Sequence, residues 1–380
     1  MRLVTAGIAR NFGAPMVGRV TRDPLPFALR SDAMLLSDAP GEDLAGYVAL
    51  ITTAKPDRIH GFLPTVHSVR DTDHLRNGDI IGVEPINGFI RTLYRPDSDD
   101  NVIFTTERCN SNCLMCSQPP QDRDDVEALT TRNLELIRIL AEPPARLVIT
   151  GGEPTLLGDR LLAIITALKS KFPETHLHML TNGRIFAWTG FTSRLAELEH
   201  PHLMLGIPLY SDDAATHDYV VQAKDAFEQT VLGLHQLARY GVRIEIRVVL
   251  HGVTIPRLLQ LAEYIYRNLT FVEHIALMGL ENIGYATRNM QQLWIDPYDY
   301  QNELEAAVEY LSVRGMAVSI YNHQLCVLRK SLWKFARKSI SDWKNIYLPE
   351  CDDCVLREQC GGFFQWAQKL HSRHIQPIRG

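Results

Sequence analysis

The stretch NVIFTTERCNSNCLMCSQPP, residues 101–120, decides the fold. Its first residues form an apolar run typical of a buried strand, and three cysteines follow in the next loop. Downstream, short apolar runs alternate with amphipathic segments, which predicts parallel strands joined by crossover helices in an α/β sheet or barrel. We count about six strand–helix units between 101 and 315, fewer than the eight of a closed barrel. The sequence therefore predicts a partial (β/α)6 barrel.

Two further regions flank this core. Residues 1–98 contain short apolar runs broken by Gly, Pro and Asp, including a hairpin signal, Asn-Gly, within 78–94, which predicts a β-rich N-terminal domain. The polar stretch RPDSDD at 95–100 marks the first boundary. We therefore predict a β-rich domain at 1–98, the barrel at 99–315 and a cysteine-bearing C-terminal domain at 316–380.

Composition limits the classes of function. The chain has 380 residues, 46% of them hydrophobic, and a formal net charge of −5. It lacks the basic balance of most nucleic-acid-binding domains, so no nucleic-acid partner is expected. We find no signal-peptide core at the start and no run of about 18 apolar residues. The sequence therefore predicts a cytoplasmic protein without a membrane-spanning segment.

The seven cysteines form a group of three and a group of four. In a large unsecreted chain, such groups indicate metal ligation rather than a disulfide framework. Cys109, Cys113 and Cys116 have C-x3-C-x2-C spacing, and one loop of this length can present three thiolates to a cubane iron–sulfur cluster while its fourth iron stays open. The alternatives are a zinc site, for which His176 or His178 could supply the fourth ligand, or three ordinary core cysteines.

A glycine-rich turn follows the next predicted strand, in ARLVITGGEPTLL at 145–157. Gly151 and Gly152 allow the backbone to approach a ligand closely, and the carboxylate of Glu153 can accept hydrogen bonds from an ammonium group. Alone, Gly-Gly-Glu-Pro (151–154) is a common turn. One strand after the cysteine loop, it indicates a shared binding site.

The combination of CNSNCLMC (109–116) and TGGEPTLL (150–157) resembles the radical S-adenosylmethionine (SAM) superfamily, with a matching strand rhythm over roughly 101–290. The resemblance implies a [4Fe-4S] cluster on the three loop cysteines, whose open iron chelates the amino and carboxylate groups of SAM. It also implies that the turn receives the SAM amino group. Met115 stands where the family often has an aromatic residue, and its thioether can pack against adenine.

The resemblance also implies, less specifically, SAM contacts for two further residues. Asn182, after the third barrel strand, and Arg247, in the fifth, occupy positions where family members often contact the SAM ribose or carboxylate. A polar turn would equally explain Asn182, and a pair with Glu245 on the same strand face would explain Arg247. The resemblance also places Pro154 of the turn at the SAM site. No catalytic residue is assigned: the pair His217-Asp218 is equally explained as a polar loop.

Three residues follow the sixth predicted strand and could line the adenine pocket or pack at the start of a helix: Glu281, Asn282 and Tyr285. Both interpretations stay open at this point.

The other four cysteines lie near the C-terminus. Cys351, Cys354 and Cys360 have C-x2-C-x5-C spacing, and Cys326 precedes them by 25 positions. This pattern resembles the auxiliary-cluster extensions called SPASM and twitch, and implies one further [4Fe-4S] cluster in a twitch-like domain. A four-cysteine zinc knuckle is the alternative. His323 could replace one ligand, but a structural histidine is the better interpretation.

A narrower resemblance covers nearly the whole chain. GDIIGVEPINGFIRTLYRPDS (78–98), the cysteine loop, YNHQLC (321–326) and SISDWKN (339–345) are similar to the His-Xaa-Ser system radical SAM maturases called HxsC. This family implies reductive cleavage of SAM to a 5′-deoxyadenosyl radical, which abstracts hydrogen from a precursor peptide. It also implies a second radical SAM maturase as a partner and an electron donor such as flavodoxin or ferredoxin. A radical SAM enzyme for a small metabolite and a non-enzymatic zinc module remain alternatives.

Overall fold

The computed structural model describes residues 3–41, 43–55, 62–338 and 346–380. The chain divides into two compact units. One unit comprises Met1–Phe104, Val126–Leu147 and Thr166–Thr175, and the other comprises Thr105–Asp125, Val148–Ile165 and His176–Gly380. The division into domains at 98 and 315 stays a prediction. The SISDWKN stretch and its Trp343 lie outside the described residues.

The N-terminal region forms an eight-stranded sheet of order β1-β8-β7-β3-β4-β5-β6-β2. Its strands are β1 (Val4–Ala6), β2 (Ile8–Arg10), β3 (Met16–Thr21), β4 (Ala33–Leu36), β5 (Ala49–Ile51), β6 (Thr65–His67), β7 (Ile80–Glu84) and β8 (Phe89–Tyr94). The antiparallel pair β7–β8 encloses the predicted Asn-Gly turn, where Gly88 has a φ of +64°. Met34, Ile51 and Ile81 are fully buried at the centre of its core. The prediction of a β-rich N-terminal region is confirmed.

A second sheet has seven strands in the order β15-β14-β13-β12-β11-β10-β9, which follows the chain. They are β9 (Asn101–Phe104), β10 (Arg146–Thr150), β11 (His176–Leu180), β12 (Leu203–Pro208), β13 (Arg243–Leu250), β14 (His274–Gly279) and β15 (Val318–Tyr321). The pairs from β11 to β15 are parallel. The predicted α/β fold, a partial barrel of parallel strands, is confirmed.

Helices cross over between these strands. They are α1 (Val126–Ile139), α2 (Asp159–Lys171), α3 (Thr189–Ala196), α4 (Ala214–Val221), α5 (Ala226–Arg239), α6 (Leu258–Asn268), α7 (Tyr285–Arg288), α8 (Met290–Leu293) and α9 (Gln301–Ser312). In α6, Leu258, Leu261, Ala262 and Ile265 are buried at the i, i+3, i+4, i+7 spacing of an amphipathic helix. No helix in the described part is long and apolar enough to cross a membrane.

The predicted C-terminal domain at 316–380 includes the residues of β15. In the structure, β15 pairs with β14 and is the seventh strand of the barrel sheet. The crossover helix α9 precedes it, so α9 and β15 complete one more unit of the alternation. Beyond β15, the described residues form short 3-10 turns, among them Pro349–Cys351, Arg357–Gln359 and Gln365–Gln368.

Candidate active site

The cysteine loop follows β9 and is held by main-chain hydrogen bonds to the helices α4 and α7. The amide of Asn112 donates to the carbonyl of Val221 at 3.0 Å, and the amide of Leu114 donates to the carbonyl of Val220 at 2.9 Å. Both acceptors are the last residues of α4. On the other side, the amide of Tyr285, the first residue of α7, donates to the carbonyl of Cys116 at 2.8 Å. Hydrogen bonds to the rest of the chain therefore fix the backbone conformation of the loop.

The three thiols of this loop are free and part-buried. Burial raises the pKa of Cys109 to about 11 and that of Cys113 to about 12, and the neighbouring thiolates add to both shifts. Burial also raises the pKa of Cys116. Thiolates in a buried site of low dielectric constant need a compensating cation. A [4Fe-4S] cluster supplies one and takes thiolate ligands, so the donor set fits this group.

The glycine turn lies directly against the cysteine loop. The amide of Gly152 donates to the carbonyl of Thr106 at 2.7 Å, and the amide of Glu153 donates to the carbonyl of Arg108 at 2.8 Å. A Cβ atom at position 152 would lie 2.1 Å from the Arg108 carbonyl oxygen, so only glycine fits there. Gly151 is similarly close, with a Cβ position 2.6 Å from the Thr106 oxygen. The turn can thus support the loop with its backbone.

The carboxylate of Glu153 is fully buried and accepts four hydrogen bonds. Oε1 accepts from the amide and hydroxyl of Thr155 at 3.0 and 2.7 Å and from the hydroxyl of Thr181 at 2.7 Å. Oε2 accepts from the amide of Asn182 at 2.6 Å. Pro154 begins the 3-10 turn Pro154–Leu157 that presents the Thr155 donors. Through its side chain, Glu153 therefore joins the glycine turn after β10 (the β10 turn) to residues 181–184 after β11 (the β11 turn).

Side chains of the β11 turn also form hydrogen bonds with the cysteine loop. Nδ2 of Asn182 donates to Oδ1 of Asn110 at 2.6 Å. Arg184 donates to the carbonyl of Asn110 at 2.6 Å and to the hydroxyl of Ser111 at 3.1 Å. The sequence analysis selected Asn182 but missed Arg184. A basic residue two positions after Asn182 at the same strand end was the available signal.

Arg247 belongs to a polar cluster on the inner face of the sheet. One guanidinium nitrogen donates to Oε1 of Glu245 at 2.7 Å, and another lies 3.0 Å from the sulfur of Met278. His274 Nδ1 and His178 Nε2 lie 2.8 and 3.4 Å from the same carboxylate. Burial opposes the charge on Glu245, but these partners outweigh it and hold the pKa of this carboxyl well below its usual range. Arg247 is therefore paired with Glu245.

Met115, within the cysteine loop, packs into an apolar cluster. Its side chain is 6% exposed and shares this cluster with Leu114, Tyr210 and Leu293. Burial raises the pKa of Tyr210 well above its usual value, and the three cysteines contribute to the shift. Met115 is thus part of the packing that supports the loop, and its role toward adenine stays a prediction.

The pair His217-Asp218 has structural contacts. Nδ1 of His217 accepts a hydrogen bond from the amide of Tyr210 at 3.2 Å, and Oδ1 of Asp218 accepts one from the amide of Phe227 at 2.8 Å. Burial lowers the pKa of His217 to about 4, so its imidazole is neutral near pH 7. His251, directly after β13, is also buried, and burial lowers its pKa to about 3. The sequence analysis missed His251.

The C-terminal cysteines are also free and part-buried. The amide of Leu325 lies 3.5 Å from the sulfur of Cys360, and the amide of Ile378 lies 3.4 Å from the sulfur of Cys354. Burial raises the pKa of Cys326, and the neighbouring thiolates of the group add to the shift. The structure thus brings the distant Cys326 into electrostatic range of the other three.

His323 has both ring nitrogens engaged. Nε2 is 2.8 Å from the hydroxyl of Tyr300, and Nδ1 is 2.9 Å from the carbonyl of Tyr321. Within the described ranges, no group of three or more His, Cys, Asp or Glu side chains has the geometry of a metal-ion site.

Comparison with known proteins gives a family for the central segment. The sequence model of the Radical SAM superfamily matches residues 103–265. A Methanocaldococcus jannaschii protein provisionally named as a glycyl-radical enzyme activating enzyme is 36% identical over 86 residues, which cover 21% of this chain and 23% of that protein. The matched region is therefore less than a quarter of the relative.

Solved structures give more distant matches. Streptococcus suis SuiB bound to S-adenosylmethionine has 15% identity and a TM-score of 0.45, with coverage of 59% of this chain and 50% of that one. A radical SAM methyltransferase from Sphaerobacter thermophilus has 14% identity and a TM-score of 0.44, with coverage of 68% and 76%.

The matched segment 103–265 contains the cysteine loop, the glycine turn and the β11 turn, whose contacts form one continuous site. The match to the model of the radical SAM superfamily is confined to this segment, which is less than half of the chain.

Proposed function

We propose that this protein is a radical SAM enzyme that modifies a peptide, with one cluster on the cysteine loop and a second on the C-terminal cysteines. The observation that carries the proposal is the loop itself. Cys109, Cys113 and Cys116 are its thiol donors, and main-chain contacts from α4, α7 and the β10 turn support the loop around them. Such pre-organisation is what a site for a reactive cofactor needs.

The cluster, when bound and reduced, supplies the electron that cleaves SAM to methionine and a 5′-deoxyadenosyl radical, which abstracts hydrogen from the substrate. The residues of the chain hold and orient the reactants. We assign the SAM amino group to the backbone of Gly151 and Gly152. Glu153 fixes this turn against Asn182, whose side chain holds the cysteine loop. As the resemblance implies, we also propose that Arg247 contacts the SAM ribose or carboxylate with guanidinium N–H groups other than the one that donates to Glu245.

The proposal for the second cluster rests on its donor set. Cys326, Cys351, Cys354 and Cys360 supply four thiols, and two amide donors lie within 3.5 Å of two of the sulfurs. Hydrogen bonds to cluster sulfurs help to set iron–sulfur potentials. Zinc is the competing occupant of a four-cysteine site.

The peptide substrate is proposed from the resemblance to the His-Xaa-Ser system maturases. This resemblance covers segments before and after the predicted barrel in the sequence, including YNHQLC at 321–326. It implies post-translational maturation of a His-Xaa-Ser peptide. We accordingly propose a second radical SAM maturase as a partner, and flavodoxin or ferredoxin as the electron donor. A cytoplasmic location, where such donors work, is part of the same proposal.

The first experiment is anaerobic reconstitution, iron and sulfide analysis, and an assay for 5′-deoxyadenosine after reduction with SAM. We expect about eight irons, as two [4Fe-4S] clusters require, with formation of 5′-deoxyadenosine. Bound zinc without SAM cleavage would contradict the radical function. Incubation with a His-Xaa-Ser peptide should then change the mass of the peptide. SAM cleavage with an unchanged peptide would favour a metabolite substrate.

A further inference from the structure

Residues 329–338, here called the basic segment, contain five Lys or Arg and no Asp or Glu, although the whole chain has a net charge of −5. All five cationic side chains are exposed: Arg329, Lys330, Lys334, Arg337 and Lys338. Arg329 pairs with Glu305, but the other four form no ion pair with a carboxylate of the described residues. The basic segment is therefore an uncompensated positive surface on a negatively charged chain.

The basic segment is fixed to the body of the protein. Leu332 is fully buried. Nε1 of Trp333 donates to the carbonyl of Leu325 at 2.9 Å. The amide of Arg337 donates to the carbonyl of Ile320, in β15, at 2.8 Å. A run of like charges that serves only solubility often belongs to a loose tail. Here the charges are held on an anchored backbone, as a docking surface requires.

The basic segment also lies against the C-terminal cysteine group. Leu325, which accepts the indole hydrogen bond, directly precedes Cys326, and its amide lies 3.5 Å from Sγ of Cys360. A Cβ atom at Gly361 would lie 3.5 Å from the carbonyl oxygen of Arg337. Covalent and hydrogen-bonded connections therefore lead from this surface to two of the four thiols.

The position and the charge together indicate the kind of partner. A positive surface attracts any polyanion, but an electron carrier must in addition approach the group that accepts its electron. Complexes between electron-transfer proteins are small and short-lived, and opposite charges on the two surfaces raise their rate of association. A basic surface joined to a group of cluster ligands meets both requirements.

We infer that the basic segment docks an acidic one-electron carrier protein. In the encounter, the carrier is oxidised by one electron, and the cluster proposed on the C-terminal cysteines is reduced by one electron. This inference rests on the proposed function and deepens it, because it gives the electron donor a place on the chain.

The test is a titration of fluorescently labelled flavodoxin of net negative charge with the reconstituted full chain, followed by anisotropy at low and at high salt. We expect wild-type binding to weaken as salt rises, because ions screen the attraction. The double variant Lys330→Glu with Lys334→Glu should bind at least about tenfold more weakly at low salt. This readout does not depend on turnover.

The matched control is Lys55→Glu with Lys224→Glu. Both lysines are exposed and lie outside the basic segment, and the pair changes the net charge by the same amount. It should bind flavodoxin within about twofold of the wild type. Iron content and circular dichroism check that both double variants fold.

A second measurement compares two reductants. With reduced flavodoxin, the variant at Lys330 and Lys334 should form 5′-deoxyadenosine at least about tenfold more slowly than the wild type. With dithionite, a small reductant that needs no docking, the two proteins should react at the same rate.

The outcomes separate the two claims. Equal weakening of flavodoxin binding by both double variants would show attraction by net charge alone and overturn the inference. Binding of polyglutamate of equal charge as tightly as flavodoxin would also overturn it, because the surface would then be a general polyanion site. Either result leaves the proposed function standing. If neither reductant yields 5′-deoxyadenosine, the proposed function fails and the inference fails with it.

Discussion

The two cysteine groups of this protein are built in different ways. The loop at 109–116 is held by hydrogen bonds from α4, α7 and the β11 turn, all belonging to the barrel. The segment at 346–380 consists largely of 3-10 turns and irregular chain, with one isolated bridge between Ile346 and Phe363. The first group has a protein scaffold around it, whereas the second has little regular structure.

This difference predicts different dependence on the metal. A loop fixed by a packed barrel keeps its shape when the cluster is absent. A segment with few regular hydrogen bonds relies on ligand binding for its folding energy, as small metal-stabilised domains do. The four predictions below test this contrast, from the largest expected effect to the smallest.

The largest effect comes from removing one cysteine from each group. Cys113→Ala should leave about four irons of about eight. It should also abolish formation of 5′-deoxyadenosine, because the proposed function assigns SAM binding to the first group alone. Cys354→Ala should lose a similar amount of iron yet retain SAM cleavage. Iron analysis and chromatography of the reaction measure both. Loss of SAM cleavage in both variants would remove the functional distinction between the groups.

Removal of iron should affect the two regions unequally. After anaerobic chelation, we expect hydrogen exchange at 351–360 to accelerate by about a hundredfold, and exchange at 109–116 by about tenfold or less, since the barrel contacts remain. Mass spectrometry of the exchanged protein gives both values in one sample. Equal acceleration would show that the barrel does not pre-organise its loop.

The close backbone approach at the glycine turn can be broken directly. Gly152→Ala places a Cβ 2.1 Å from the Arg108 carbonyl oxygen, so the turn and the cysteine loop must separate. We expect a loss of about 2 kcal/mol of stability and at least about tenfold slower SAM cleavage. Gly190→Ala in α3 is the control, since its Cβ would meet no atom within 4 Å. Indistinguishable behaviour of the two variants would contradict the assignment.

The smallest effect is a pH dependence of stability. Burial lowers the pKa of His217 to about 4 in the folded chain, against about 6.5 unfolded. The unfolded chain therefore binds this proton first, and stability is lost as pH falls from 6.5 toward 4. At pH 5 the loss is about 2 kcal/mol.

His217→Asn tests this dependence because its oxygen can still accept from the Tyr210 amide but does not titrate. Urea unfolding at pH 7 and pH 5 should show a steeper loss for the wild type than for this variant. His217 lies on α4, which holds the cysteine loop. The protection factors at 109–116, which correct for the slower intrinsic exchange at low pH, should therefore fall on acidification in the wild type. Equal pH slopes for the two proteins would refute the assignment.

Much of the fold was predictable because it depends on local pattern. The alternation of apolar runs and amphipathic helices predicted the parallel sheet, and the Asn-Gly turn predicted the β7–β8 hairpin. Membership of β15 in the sheet was not predicted, because pairing partners depend on the path of α9 and not on the strand sequence. The proximity of the glycine turn to the loop was expected from their strand ends.

The sequence by itself determined the cysteine spacing, the glycine turn and the order of strands, since each is written in neighbouring residues. Only the tertiary structure decided how the side chains are used. It paired Arg247 with Glu245 and buried Glu153 among four donors, and it left Oδ1 of Asn282 without a donor from the described residues. These outcomes depend on contacts between residues far apart in the chain. Spacing along the sequence places a residue at a strand end, but hydrogen bonding and burial there depend on what packs against it.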